Sequence, residues 1–167
     1  MKKAFTMIEL VMVIVVLGIL SSIAMSKMAV TRDDAMIVKG KAQVSAIRSA
    51  VVLQRSMKMM SGWAGGGNPL RLDALASATA SAGENLFDYD TNNSTAPANR
   101  INRLLDYPIR AKSATTNGGW RKAATDTYIF RVINTDVNFT YTASTGSFDC
   151  THGTATQAEK YCKTLTE

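Results

Sequence analysis

A single carboxylate inside an otherwise apolar N-terminal run constrains this chain more than any other feature. Between Ala4 and Ser26 the only ionisable side chain is Glu9. Leu10 to Leu20 is apolar without a break apart from Gly18, and the 21 residues from Phe5 to Met25 are mainly apolar. Coiled as a helix, they reach about 30 Å, the thickness of a bilayer core. Lys2 and Lys3 precede the run, and Lys27, Arg32, Lys39 and Lys41 follow it, so charge bias alone does not set the topology.

Three readings of this segment compete. The first is a secretory signal peptide, with a basic start, an apolar core and Ser22-Ile23-Ala24 as a small-x-small cleavage site. The second is a plain transmembrane anchor. The third is a leader whose apolar helix is kept after processing. Glu9 discriminates among them. A carboxylate within an apolar membrane helix costs roughly 2.5–3.5 kcal/mol on insertion scales. A plain anchor has no use for it. The cost is offset where a positive charge meets the carboxylate in a low-dielectric interior.

Lys2-Lys3-Ala4 followed by Phe5-Thr6-Met7-Ile8-Glu9-Leu10 resembles the prepilin cleavage and methylation motif of type IV pilins and type II secretion pseudopilins. The resemblance implies a cut between Ala4 and Phe5 by a prepilin peptidase, methylation of the new terminus at Phe5 and retention of the helix. Glu9 becomes the fifth mature residue. In that family it pairs with the amino terminus of Phe5 on a neighbouring subunit, which sets the register of assembly. The family usually has Gly before the cut; this chain has Ala4, the next-smallest residue. The resemblance covers the first 26 residues or so, and implies partners: other copies or other pilins, an inner-membrane assembly platform and membrane lipid.

Past the membrane the helix pattern continues. From Ser26 to Met60 there is no proline, and Gly40 is the only glycine. At 100° per residue, Ala35, Val38, Ala42, Ala46, Ala50, Leu53, Met57 and Met60 form one small-apolar face. Val30, Ile37, Val44 and Val51 form a second stripe, and Lys41, Arg48 and Arg55 run beside it. Two apolar sides ask for two partners: the chain's own head and neighbouring subunits, or else both sides inside one core. Gly18 is a weak point in the helix by about 1 kcal/mol relative to Ala. Members of the family that melt near this glycine carry a proline eight residues on; here that residue is Ser26.

Four glycines between Gly62 and Gly67 end the helix. Asn68 reads as an N-cap with Pro69 at the first helical position, predicting a short helix to about Ala80. Residues 83–105 read as a long loop. Strands are predicted at Tyr107–Ala111, Tyr128–Ile133, Val137–Thr142 and Ser147–Cys150, with turns at Asn134-Thr135-Asp136 and Ser144-Thr145-Gly146. The expected fold is α+β: a long N-terminal transmembrane-plus-amphipathic helix packed on a small antiparallel sheet, as in pilins and pseudopilins. The expected parts are a leader at 1–4, a membrane and polymerisation helix at 5–25, a helical stem at 26–60 and a head at 61–167.

Chemistry-bearing residues are sparse. The chain has two cysteines and one histidine, too few for a four-ligand zinc site of those types. Cys150 and Cys162 are too far apart in sequence for a C-x-x-C redox pair, and a structural disulfide between them would contribute roughly 2–3 kcal/mol. Such a pair suits an oxidising compartment, which puts the C-terminal part in the periplasm; the resemblance to pilins implies that the chain sits in the bacterial inner membrane. Asp88-x-Asp90-x-Asn92 resembles half a calcium loop but has Asn93 and Asn99 where Gly and Glu belong, so a solvated loop with no metal is expected. The Lys41–Arg48–Arg55 ridge is where nucleic acid would bind, yet it lacks interleaved aromatics; a solvated face, or pairing with a neighbour's acids, explains it more simply. With His152 alone and no G-x-S-x-G or phosphate loop, no catalytic set or cofactor site is expected. The expectation is a filament subunit, of a type IV pilus or a secretion pseudopilus. The alternative is a tethered binding module for DNA, calcium or a glycan.

Overall fold

A computed structural model describes residues 5–60, 67–69, 71–75, 77–89, 103–151 and 156–167, without side chains at 26, 27, 29 and 30. The chain is α+β. Helix α1 (Met7–Met60, 54 residues) is followed by β1 (Asn85–Leu86), β2 (Ile109–Arg110), β3 (Trp120–Ala124), β4 (Thr127–Val132), β5 (Thr135–Thr142), β6 (Ser147–Thr151) and α2 (Gln157–Thr166). Two compact units divide between Ala35 and Met36. The first is helical. The second contains the rest of α1 and all the strands.

The main sheet is an antiparallel meander in the order β3-β4-β5-β6, with β1 and β2 paired separately. Its logic is period-two alternation. Tyr128, Phe130 and Val132 on β4 point into the core, as do Val137, Phe139 and Tyr141 on β5. The β4–β5 turn is tighter than the sequence suggested. Ile133 and Asn134 take φ of 43° and 61°, a two-residue connection whose twist suits a hairpin, and Thr135 and Asp136 already belong to β5. The core is rich in rings: Trp120 lies 5.0 Å from Phe130 and 5.2 Å from Phe139, and Phe139 stacks on Phe148 at 5.3 Å.

The second unit's part of α1 packs on this core through the stripe that recurs every seven residues. Val44 and Val51 are buried, Ile37 is half-buried, and Ile47 and Gly40 join them on the same side. Burying Val44, Ile47 and Val51 contributes roughly 1.5–3 kcal/mol each. Gly40 is required by close approach: a Cβ there would meet the Phe130 ring and lie 2.8 Å from Leu165 Cδ2. The small-apolar face points elsewhere. Val38, Leu53 and Met60 are exposed, Met57 is largely so, and only Ala50 is half-buried.

The predicted helix at 69–80 is absent among the described residues, where the chain bends repeatedly instead. Side chains there capture backbone amides that a helix would need. Asp73 Oδ1 accepts from the Leu75 amide at 3.0 Å, and Ser77 Oγ from the Thr79 amide at 3.3 Å. Asn68 does not cap; its Nδ2 donates to the Ala143 carbonyl at 3.1 Å. Within the predicted 83–105 loop, Asn85–Leu86 pairs with Ile109–Arg110, the part of the 107–111 segment that forms a strand. The glycine run at 62–66 lies outside the described residues.

Candidate assembly and processing segment

The first turn of α1 is built by Thr6. Its hydroxyl oxygen accepts from the Glu9 amide at 3.4 Å, while its carbonyl accepts from Leu10 at 3.3 Å. Thr6 is thus the N-cap and Glu9 the third helical residue, the Thr-x-x-Glu spacing of a capping box. The Thr6-x-x-Glu9 spacing is the signal in the sequence that identifies this cap. The arrangement starts the helix at Met7 and leaves Phe5 ahead of it, outside the hydrogen-bonded turns. Ala4, on the other side of the expected cut, lies outside the described residues.

Every described side chain from Phe5 to Met25 is exposed, including Ile14, Leu17, Ile19 and Leu20. The 19 residues from Met7 to Met25 are long and apolar enough to cross a membrane, and none is buried by the chain itself. Glu9 sits at the head of that surface, where its negative charge meets the positive end of the helix dipole.

Residues 1–25 match a family described as the prokaryotic N-terminal methylation motif. The chain carries a prepilin-type signal. That signal is the mark of type IV pilin-like proteins and pseudopilins, and points to a structural protein. It implies processing by a prepilin peptidase and polymerisation with other pilins, and with the apolar helix it agrees with anchoring in the inner membrane. No curated protein and no solved structure matches the chain.

Behind the prepilin signal, the candidate residues of the second unit separate. Cys150 on β6 and Cys162 on α2 stand at disulfide distance, with Cα atoms 5.9 Å apart. The basic ridge is not uniform. Arg48 donates from Nε to the Phe148 carbonyl at 3.0 Å and from Nη1 to the Thr166 carbonyl at 3.4 Å, and pairs with Asp149 at 3.2 Å. It ties α1 to β6 and to the C-terminal turn, so it is committed within its own unit. Lys41 and Arg55 remain on exposed surface. Asp88 of the half calcium loop accepts from the Ala74 amide at 3.2 Å, and Asp90, Asn92, Asn93 and Asn99 lie outside the described residues, as does His152. Two arginines share one carboxylate: Asp136 meets Arg121 at 2.8 Å and Arg131 at 3.0 Å. Burial alone would raise Asp136, but these two guanidinium groups hold it below the usual carboxylate range.

Proposed function

We propose that this chain is a structural subunit of a type IV pilus-like filament or a type II secretion pseudopilus, and that it works by polymerising. One observation carries the reading: within a prepilin-type signal, a lone carboxylate heads an exposed apolar stretch of α1. In lipid that carboxylate costs free energy until a partner charge meets it, and the new amino terminus of a neighbouring subunit supplies one. The proposed parts are the leader at 1–4, the membrane and polymerisation helix at 5–25, the stem at 26–60 and a periplasmic head at 61–167. The small-apolar face of α1 supports the assignment, because the chain's own core leaves Val38, Leu53 and Met60 uncovered for neighbouring stems.

Processing is the direct test. Mass spectrometry of protein extracted from membranes is expected to give an N-terminus at Phe5 carrying one extra methyl group. A start at Met25 would mean signal-peptidase cleavage and would overturn the reading.

A further inference from the structure

A charged cluster lies inside the aromatic core, apart from everything assembly requires. Lys122 points inward from β3, and its side chain is 1% exposed. The register of β3 against β4 slips immediately after Lys122, a local irregularity of the kind that redirects side chains. Its Nζ lies 2.8 Å from Asp73 Oδ1 and donates at 3.3 Å to the Leu75 carbonyl. The Asp73 side chain is fully buried. Its other oxygen, Oδ2, accepts a short hydrogen bond from the Tyr128 hydroxyl. A second carboxyl stands close by. Phe87, itself buried, takes φ of 60°, a conformation rare for a large side chain, and Asp88 accepts from the amide of Ala74, the residue after Asp73.

We propose that Asp73 and Lys122 close into an intramolecular isopeptide bond. The amine and carboxyl are already held in contact in a dry site, which removes the entropic barrier to their meeting. In the step, one proton passes from the Lys122 ammonium to the Asp73 carboxylate, which leaves the neutral amine and the protonated acid. The Nζ lone pair attacks Asp73 Cγ and the Nζ–Cγ bond forms. The Cγ–Oδ1 bond then breaks, and Oδ1 leaves as water with two of the three protons that began on the ammonium. Nothing is oxidised or reduced, and no co-reactant is needed.

The neighbours suit both the step and its product. The Tyr128 hydroxyl is aimed at the oxygen on which negative charge develops as the carbon becomes tetrahedral. Burial, followed by the Asp73 charge, pushes Tyr128 far above its ordinary range, so it stays protonated as a donor. Burial likewise raises Asp88 above the usual carboxylate range. After closure Oδ2 is the amide oxygen and keeps the Tyr128 bond, while the remaining Nζ–H faces the Leu75 carbonyl. The tie would join residues 71–75, which form no helix or strand, to the edge strand of the sheet.

Tryptic peptides of the full chain purified from membranes test this. Closure is expected to give residues 72–100 joined to residues 122–131, lighter by one water than the two peptides together, because a blocked Lys122 resists cleavage. Asp73→Asn is expected to give the same joined species with ammonia released instead of water. Lys122→Arg should leave the peptides separate. Wild-type protein that yields residues 72–100 unjoined and is cut after Lys122 would overturn the proposal, as would a joined species surviving Lys122→Arg.

Discussion

The two ends of helix α1 have similar appetites for burial and opposite means of satisfying them. From Met7 to Met25 almost every side chain is apolar, and the chain buries none of them. From Met36 to Met60 the residues are mixed, yet Val44, Ile47 and Val51 vanish into the core and even the polar Gln54 is buried, donating at 3.4 Å to the Arg103 carbonyl. The first stretch is apolar around its whole circumference and long enough to cross a membrane. The second is sided because a sheet covers only one flank. The two stretches of one helix differ in the share of apolar residues and in their angular distribution.

The largest effect that would sharpen this comparison is expected at Glu9. Glu9→Gln keeps the shape and removes the charge, so the helix inserts in lipid at lower cost. Filament yield should nevertheless fall by more than about tenfold, the factor that about 1.4 kcal/mol represents. Cleavage before Phe5 should persist. Sheared filaments and processed membrane subunit are measured side by side for wild type and variant. Undiminished yield would leave the apolar surface alone to explain polymerisation.

A smaller effect separates the two sides of the stem. Ile47→Ala removes a fully buried side chain and should destabilise the folded unit by about 2–5 kcal/mol. Leu53 is 59% exposed, so Leu53→Ala should change the same quantity by less than about 0.5 kcal/mol, and should instead weaken filaments. Urea unfolding of detergent-solubilised chain, followed by near-ultraviolet circular dichroism, reads the first. Filament survival under shear reads the second. Equal losses from both substitutions would mean that the exposed face is covered within the subunit.

What could be foreseen from sequence follows the range of the forces involved. The apolar segment, its lone carboxylate and the continuing helix are properties of consecutive residues and were legible. So was the alternation of β4 and β5, although their turn was placed too late because Ile133 is an unusual residue for positive φ. Strand β3 was not seen: its second inward residue is Lys122, which breaks the apolar alternation and makes sense only beside Asp73, 49 residues away. Asp73 misled in the same way. Asn68-Pro69 announces a helix locally, but the partners that commit Asp73 to another path are Lys122 and Tyr128, the latter 55 residues off. Helix α2 was missed because it has only Cys162 and Leu165 to bury, too little apolar periodicity to stand out. The capping by Thr6 was legible and passed over beside the stronger signal of Glu9.

The smallest effects should come from the two glycines of α1, which bring the comparison to a single atom. Around Gly18 nothing lies within 4 Å of an added Cβ. Gly18→Ala therefore costs no packing within the subunit and removes the backbone freedom that weakens a helix, a gain of about 1 kcal/mol. In micelles, amide exchange near residue 18 should slow by about fivefold, the factor corresponding to that gain. At Gly40 the same methyl group would run into Phe130 and Leu165. The intrinsic gain in helix propensity is the same there, but overpacking opposes it by about 1–3 kcal/mol, so the net change is a loss of up to about 2 kcal/mol. The urea midpoint should fall for Gly40→Ala and stay unchanged for Gly18→Ala, because nothing lies within 4 Å of an added Cβ at residue 18. A midpoint unmoved by Gly40→Ala would show that α1 can shift away from β4 without cost. The close approach at Gly40 would then be a tolerance of the packing, and the contrast between the covered and uncovered stretches of the helix would rest on Val44, Ile47 and Val51 alone.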